Sequence, residues 1–561
     1  MAAEHQSAHS RAQAFTPRQK QIALIVAASA FVMDLLDSTI VNIAIPSIQT
    51  NLSASYASIQ WLVAGYLLAF ATLLVTGGRM GDVFGYKKLF MIGVAGFTVA
   101  SLLSGLAWSP EILIATRVLQ GAMAALMVPQ VTSMMQILYK PSERAAVNGL
   151  FGALGGLSAS LGPVIGGLLI QANLFGLDWR PIFLINVPVG IAALFLAARY
   201  LPNGKSPHPL KLDVRGTFLL IASLTLLIFP LIQGRELDWP AWTFVMLFAS
   251  IPTFLLFVWS QIRRDKQNGS ALVQPSMFKV RSFGVGLGVN LAFEAAMLGY
   301  FLTFGLFLQI GLGFSPIHAA LTGLPLAVGI TTAMIGFSKF IPKLGRRAIS
   351  LGALTMAIGL SITTFVIFNV GVDLNSFQLI PGLVIMGFGM GFVFGALYAA
   401  VLNGVDSKHA GSASGTLNAV QQIGGAVGVA VIGVVFFGQL TSGAAANFGS
   451  VESTIRTQLA AEHIPDPAQD AIISGLQSCF VDRAHEKDSS VVPDSCKTDA
   501  SAQLSPAVTD ILVNGAKKAN TVNFQHAFRI AFFYEIGLIA AAIGLSFFLP
   551  KLFRQDAYEE A

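Results

Sequence analysis

Apolar runs of about 18 residues or more, parted by short polar connections, recur along this chain from residue 21 to residue 550. None alternates with the period of two that a barrel strand would show. Each is long enough to cross a hydrocarbon layer about 30 Å thick as a helix, which satisfies its own backbone hydrogen bonds there. The pattern predicts fourteen spans: 21–44, 56–77, 88–107, 112–136, 144–170, 182–201, 214–233, 241–262, 282–310, 317–338, 347–370, 376–404, 412–436 and 526–550. The expected fold is therefore all-α, a polytopic membrane protein.

Composition agrees. Of 561 residues, 54% are hydrophobic and only 11% charged, and the mean hydropathy is +0.69, beyond what a water-soluble globular chain shows. The charges are not spread evenly. The N-terminus and every second connection carry 24 Lys and Arg, whereas the short loops on the other face carry only Arg180 and Arg235. Basic residues collect in short cytoplasmic loops, so both termini are expected in the cytoplasm, and the net charge of +6 follows from topology. No basic patch remains for nucleic acid; the expected partners are membrane lipid, protons and small molecules. Arg11, Arg18 and Lys20 precede the first apolar run as in a secretory signal, but that run is too long, contains acids and lacks a cleavage site, so a retained helix is expected.

The longer connections 202–213 and 263–281 bracket one pair of spans, which suggests six helices, two inserted, then six more. The expected segments are an N-terminal tail 1–20, a six-helix bundle 21–201, the inserted pair with linkers 202–281, five helices of a second bundle 282–436, an external cap 437–525, its last helix 526–550 and a tail 551–561. Setting Gly85 over Gly345 superposes GYKKLFMIG on GRRAISLG, Lys87 on Arg347 and Ser55 on Ser315. The cap is expected to be small and partly helical, without a catalytic or metal-ligand constellation, and to offer a surface for an accessory protein; His485 there reads as a surface histidine. Cys479 and Cys496, the only two cysteines, both fall in it. In an oxidising exterior they form either a disulfide, contributing about 3 kcal/mol by loop closure, or two unrelated thiols.

Acids inside the spans need a reason. A charge at mid-bilayer costs about 3 kcal/mol on insertion scales, so a carboxylate there needs a partner, a water-filled cavity or a proton. Asp34 and Asp37, in FVMDLLDSTIVNIAIP, are three apart on one helical face that should look into the protein. The offset of 260 residues that aligns the glycines also puts Asp34 over Glu294, so each half places an acid at matching depth in its first helix. Such groups either load and release protons or merely tie helices together. Arg117 is the only basic residue well inside the first twelve spans, a counter-ion for one of these acids, a proton gate or a structural partner; Glu535 is either an outer relay or a hydrated acid.

Residues 155–170, GGLSASLGPVIGGLLI, gather Gly155, Gly156, Gly162, Gly166 and Gly167 around Pro163. Glycine lets helix backbones approach, and proline frees a carbonyl and bends the helix; the density here favours a segment that bends or seals reversibly over one that only packs. GRMGDVFGYKK, residues 78–88, joins spans two and three with hardly any spare length. Gly85 permits the turn, and Asp82 can cap a helix or pair with a nearby base, a contact suited to a conformational latch.

These motifs resemble the major facilitator superfamily, and within it the fourteen-helix drug:proton antiporters of EmrB/QacA type. The loop motif matches at Gly78, Asp82, Gly85 and Lys87, with Val83 and Tyr86 where bases are usual. The fourth-helix motif matches at Arg117, Gln120 and Gly121, and the fifth-helix antiporter motif at Gly155, Gly162, Pro163, Gly166 and Gly167. LDSTIVNIAIP is similar to the first-helix motif, with Asp37 the motif acid and Asp34 an addition. WRPIFLINVPVG and SASGTLNAVQQIGGAVGVA also look like that group. The resemblance implies two six-helix bundles, with two inserted helices, rocking about a central cavity lined by the first and fourth helices of each half.

Export against a gradient needs an energy source, and no GxxxxGK[ST] phosphate loop occurs, so no cofactor is expected. Protons can supply it: about 1.4 kcal/mol per pH unit, and about 2.3 kcal/mol per 100 mV. The expectation is an exporter in which protons enter at Asp37 and Glu294, expel a lipophilic, cationic or aromatic substrate and leave on the cytoplasmic side. Forty-two Phe residues suit such substrates. Two other readings stand: a proton-coupled exporter of one metabolite, antibiotic or siderophore, and a non-transporting membrane sensor or partner subunit with structural acids. No nucleophile, base and orienting group recur together as an enzyme would need.

Overall fold

Polar caps and glycines set where the helices begin and end. In the computed structural model, which describes residues 16–139, 141–205, 211–337, 340–402, 405, 410–486, 492–497 and 505–551, Thr16 and Gln19 form a capping box ahead of α1 (Pro17–Leu52). Ser55 caps α2 (Tyr56–Phe84), and the connection to α3 (Tyr86–Gly105) is the single residue Gly85 at φ 101°, a conformation that L side chains rarely adopt. The segment 78–88, expected as a loop, is thus mostly the end of α2. Ser109 caps α4 (Pro110–Leu138), and α5 (Pro141–Ala172) follows. A short turn, Pro181–Leu184, leads into α6 (Asn186–Tyr200).

The inserted pair is α7 (Val214–Glu236), capped by Asp213, and α8 (Ala241–Asn268). The second half runs through α9 (Arg281–Leu306), α10 (Pro316–Thr331), α11 (Arg346–Val370), α12 (Ser376–Leu402) and α13 (Ala410–Ser442). Ser315 caps α10 as Ser55 caps α2, and Gly345 ahead of α11 has φ 56° as Gly85 has φ 101° ahead of α3. The repeat offset therefore aligns the same devices in both halves.

The insertion folds as α14 (Ala444–Ala461) and α15 (Asp466–His485), packed on the start of α16 (Pro506–Ser546) around Phe448, Val451, Ile455, Leu459 and Ile473. Hydropathy places the last span at 526–550, but α16 begins at Pro506. A hydrogen-bonded helix does not stop where the sequence turns polar, so the cap limits expected at 437 and 525 fall inside α13 and α16. Cys479 and Cys496 are joined as a disulfide.

Thirteen described helical segments are long and apolar enough to cross a membrane, and α5, 32 residues long, stands at the fifth expected position. The molecule is a multi-pass membrane protein, and its exposed large residues, such as Phe195, Phe218, Phe248, Phe365 and Phe377, are what a lipid-facing surface requires. Within the first half α1 packs on α5 and α4 on α2 and α3. Within the second, α9 packs on α13 and α16, and α12 on α10 and α11. The halves meet along α2 with α13 and α5 with α10. The face that carries Lys20 is called the N-terminal face below, and the other the insertion face.

Candidate functional site

Asp37 lies in the middle of α1 with 1% of its surface exposed. Its Oδ2 pairs with Arg117 from α4, and its Oδ1 accepts from Gln120 Nε2 at 2.7 Å and from Asn186 Nδ2, on α6, at 3.0 Å. Gln120 and Asn186 both donate also to Ser101 Oγ on α3, at 2.8 and 3.3 Å. Arg117 Nη1 donates to Gln120 Oε1 at 2.8 Å and its Nε to the Leu62 carbonyl at 3.3 Å. Five helices thus converge on one charge-balanced cluster, a buried ion pair whose remaining polar atoms are hydrogen-bonded.

Asp34, one turn away and 4% exposed, has a single donor, the Tyr66 hydroxyl of α2. The Tyr66 ring lies beneath the Arg117 guanidinium, 4.3 Å from its carbon to the ring centroid. Asp34 is therefore linked to the Asp37 cluster through one tyrosine.

Glu294 occupies the matching depth in α9, 5% exposed, and accepts one hydrogen bond, from Gln421 Nε2 of α13 at 3.1 Å. Glu535, on α16, is fully buried and accepts from Thr303 Oγ1 at 3.3 Å; its other oxygen and the Tyr300 hydroxyl have no partner among the described residues. The expected hydration of Glu535 is corrected: it is packed between α16 and α9, beside the stack of Tyr300 on Phe304. Among the described residues, no salt bridge reaches Glu294 or Glu535. The two halves are thus unlike: the first holds its acids around a cation, the second holds lone acids.

The glycine-rich segment does not break. α5 runs through Pro163, which is tolerated where neighbouring helices cover the freed carbonyl. A Cβ at Gly162 would meet the Thr39 hydroxyl, and one at Gly166 would lie 2.6 Å from Ile40, so both let α1 approach. Gly155 faces Leu35 at 3.8 Å. At Gly167 a Cβ would lie 2.9 Å from Ile317 Cα, across the junction between halves. Gly156 lies in α5.

In the loop motif, Asp82 accepts from the Tyr86 hydroxyl at 2.8 Å rather than from a base, and Lys87 donates to the Ala198 carbonyl of α6 at 2.7 Å. The latch expected between Asp82 and a cation is thereby corrected; Tyr86 stands where the motif usually has a base. Gly78 rests 3.5 Å from Pro129. Tyr66, Ser101, Asn186 and Gln421 were not singled out from the sequence. Their one signal is a polar residue isolated within an apolar run, as in FLINVPVG.

Two cavities open at the insertion face. One, about 580 Å³, lies between the halves, lined by Ser47, Thr50, Asn51, Asp178, Gln309 and Phe314; the other, about 300 Å³, lies beside the tip of α7.

The family described as Major Facilitator Superfamily matches residues 27–429. A probable actinorhodin transporter of Streptomyces coelicolor is 43% identical over 540 residues, covering 95% of this chain and 92% of that one. The tetracenomycin C resistance and export protein of Streptomyces glaucescens is 33% identical over 73% of this chain and 75% of its own. A multidrug resistance protein of Mycobacterium tuberculosis is 28% identical over 82% and 81%. Among solved structures, a bacterial homologue of the human lysosomal transporter Spinster superposes with a TM-score of 0.53 at 16% identity, over 95% of this chain and 99% of that one. An auto-inhibited peptide transporter of the POT family gives 0.54 at 16%, over 84% and 95%. These two carry the fold alone.

Proposed function

The chain belongs to the major facilitator superfamily, and on that premise we propose that it exports lipophilic, aromatic or cationic small molecules across the cytoplasmic membrane in exchange for protons, by alternating access. Both termini face the cytoplasm, which puts the insertion outside and makes the cavity of about 580 Å³ an exit vestibule. The relatives' names, an actinorhodin transporter, a tetracenomycin C exporter and a multidrug resistance protein, support the direction of transport and the substrate class.

The single observation that carries the coupling is a buried carboxylate at the same depth in the first helix of each half. Asp37 already accepts from three donors, so a proton there would displace one of them. Asp34 and Glu294 accept one each and keep lone pairs free. The exchanging pair is therefore Asp34 with Glu294, while Asp37 anchors Arg117, and Glu535 passes protons on the external side. A proton at Asp34 removes the acceptor that orients Tyr66 and so loosens the ring under Arg117. Dye efflux and proton flux in energised inverted vesicles test this. Native protein acidifies or alkalinises the lumen only with substrate present, and unchanged flux in Asp34→Asn and Glu294→Gln would end the assignment.

A narrower reading, one dedicated polycyclic aromatic substrate, is favoured by the likeness to a transporter named for a single compound, which extends over 95% of this chain. A panel of unrelated dyes separates the two: one class transported supports the narrow reading, several support the broad one.

A further inference from the structure

The α7–α8 hairpin takes no part in the proton chemistry, yet it is fastened to one half and leans on the other. Near the N-terminal face Arg79, on α2, donates to the carbonyls of Ser270 at 2.8 Å, Leu272 at 3.3 Å and Lys211 at 3.4 Å, and to that of Ala271, so it holds both linkers of the hairpin. The hydroxyls of Thr76 and Thr217 meet at 2.7 Å, and Trp61 packs on Phe229 with ring centroids 5.7 Å apart. These contacts run along α2 from end to end, so the hairpin travels with the first half.

At the insertion face the seam between the halves is α2 against α13. Tyr56 and Phe437 stack across it, centroids 4.4 Å apart and planes at 28°. Below them Gln60, 1% exposed, covers Gly433, where any side chain would collide with its amide. The last turn of α7 reaches this stack. The Arg235 guanidinium stands 5.8 Å from the Tyr56 centroid and 5.5 Å from that of Phe437, a cation over two rings that belong to different halves. The cavity of about 300 Å³ adjoins it, lined also by Glu236 and Trp239 of the hairpin and Thr441 of α13. It leaves room for these side chains to separate.

We propose that the hairpin is a strap, and that Arg235 positions the Tyr56–Phe437 stack so that the insertion-face end of the α2–α13 seam stays shut until the halves rock apart. The proposal rests on the alternating-access reading above. Because the strap is anchored on α2, opening that face breaks only the contacts to α13, at Phe437 and Thr441. Arginine suits the place because its flat, weakly hydrated cation can lie against two rings at once, which an ammonium does less well.

Gln60→Cys reports on the seam, since the two native cysteines are bonded to each other. In sealed vesicles with the insertion face outward, a membrane-impermeant maleimide labels this cysteine slowly, and adding Arg235→Gln speeds labelling by about tenfold, the ratio expected for losing a partly desolvated cation–π contact. Arg235→Lys falls between. Tyr56→Leu and Phe437→Leu speed labelling likewise, which keeps the test available should Arg235→Gln not fold. In Arg235→Gln the maximal efflux rate changes while the half-saturating substrate concentration does not, a split that a merely structural role would not give. Equal labelling rates with and without Arg235→Gln, in protein that still exports dye, overturn the strap. A parent protein that folds but moves neither dye nor protons overturns the transporter reading instead.

Discussion

At the scale of the residue, two acids three positions apart have opposite situations. Removing the charge of Asp37 strands Arg117 in a packed interior, and breaking a buried pair in this way costs about 3–5 kcal/mol. Asp37→Asn is therefore expected to lower the thermal unfolding temperature in detergent sharply. Adding Arg117→Gln should recover part of the loss, and a double-mutant cycle with no coupling between the two would show that the pair is not the anchor. Asp34→Asn leaves no cation unpaired. It is expected to keep near-native stability and substrate exchange while proton-driven accumulation falls by at least about tenfold, about 1.4 kcal/mol of lost coupling. Full accumulation in this variant, measured as the plateau dye ratio, would return the proton to Asp37. Neither distinction is visible in FVMDLLDSTIVNIAIP itself, where both acids have the same neighbours.

Elements carry their own expectations. The glycines of α5 are spaces for α1: Gly166→Leu would drive a side chain into Ile40 and Ile43, and overpacking of this kind costs about 1–3 kcal/mol. A lowered unfolding temperature with slower efflux is the expected outcome; an unchanged one would mean that α5 sits further from α1 than the structure has it. The pattern G-x-x-x-G-P around Pro163 announced close packing, but the helix passes through the proline because its neighbours sit within reach. In the insertion, the disulfide closes a segment of 17 residues. Cys479→Ser should destabilise that cap by about 3 kcal/mol, read as faster proteolysis of the segment between α15 and α16, with dye efflux retained.

For the whole molecule, sidedness is the open prediction. With both termini in the cytoplasm, a cysteine placed at the exposed Asn51, in the larger cavity, is expected to react with an impermeant maleimide added to intact cells, while one at the exposed Lys551 is not. The reverse pattern would invert the direction assigned to transport. Hydropathy alone determined the number of crossings and their order, because a span's preference for lipid is a local sum over its own side chains. The repeat was legible too: Ser55 with Ser315 and Gly85 with Gly345 cap and turn the chain by chemistry that acts within a few residues. Which groups face the buried acids was decided only by the tertiary structure. Asp37 meets partners 80, 83 and 149 positions away, and Glu294 meets Gln421 at 127. The halves differ because α4 brings Arg117 to Asp37 and, among the described residues, no cation comes to Glu294. Pairing across such distances is fixed by how helices pack, and no local pattern in the chain records it.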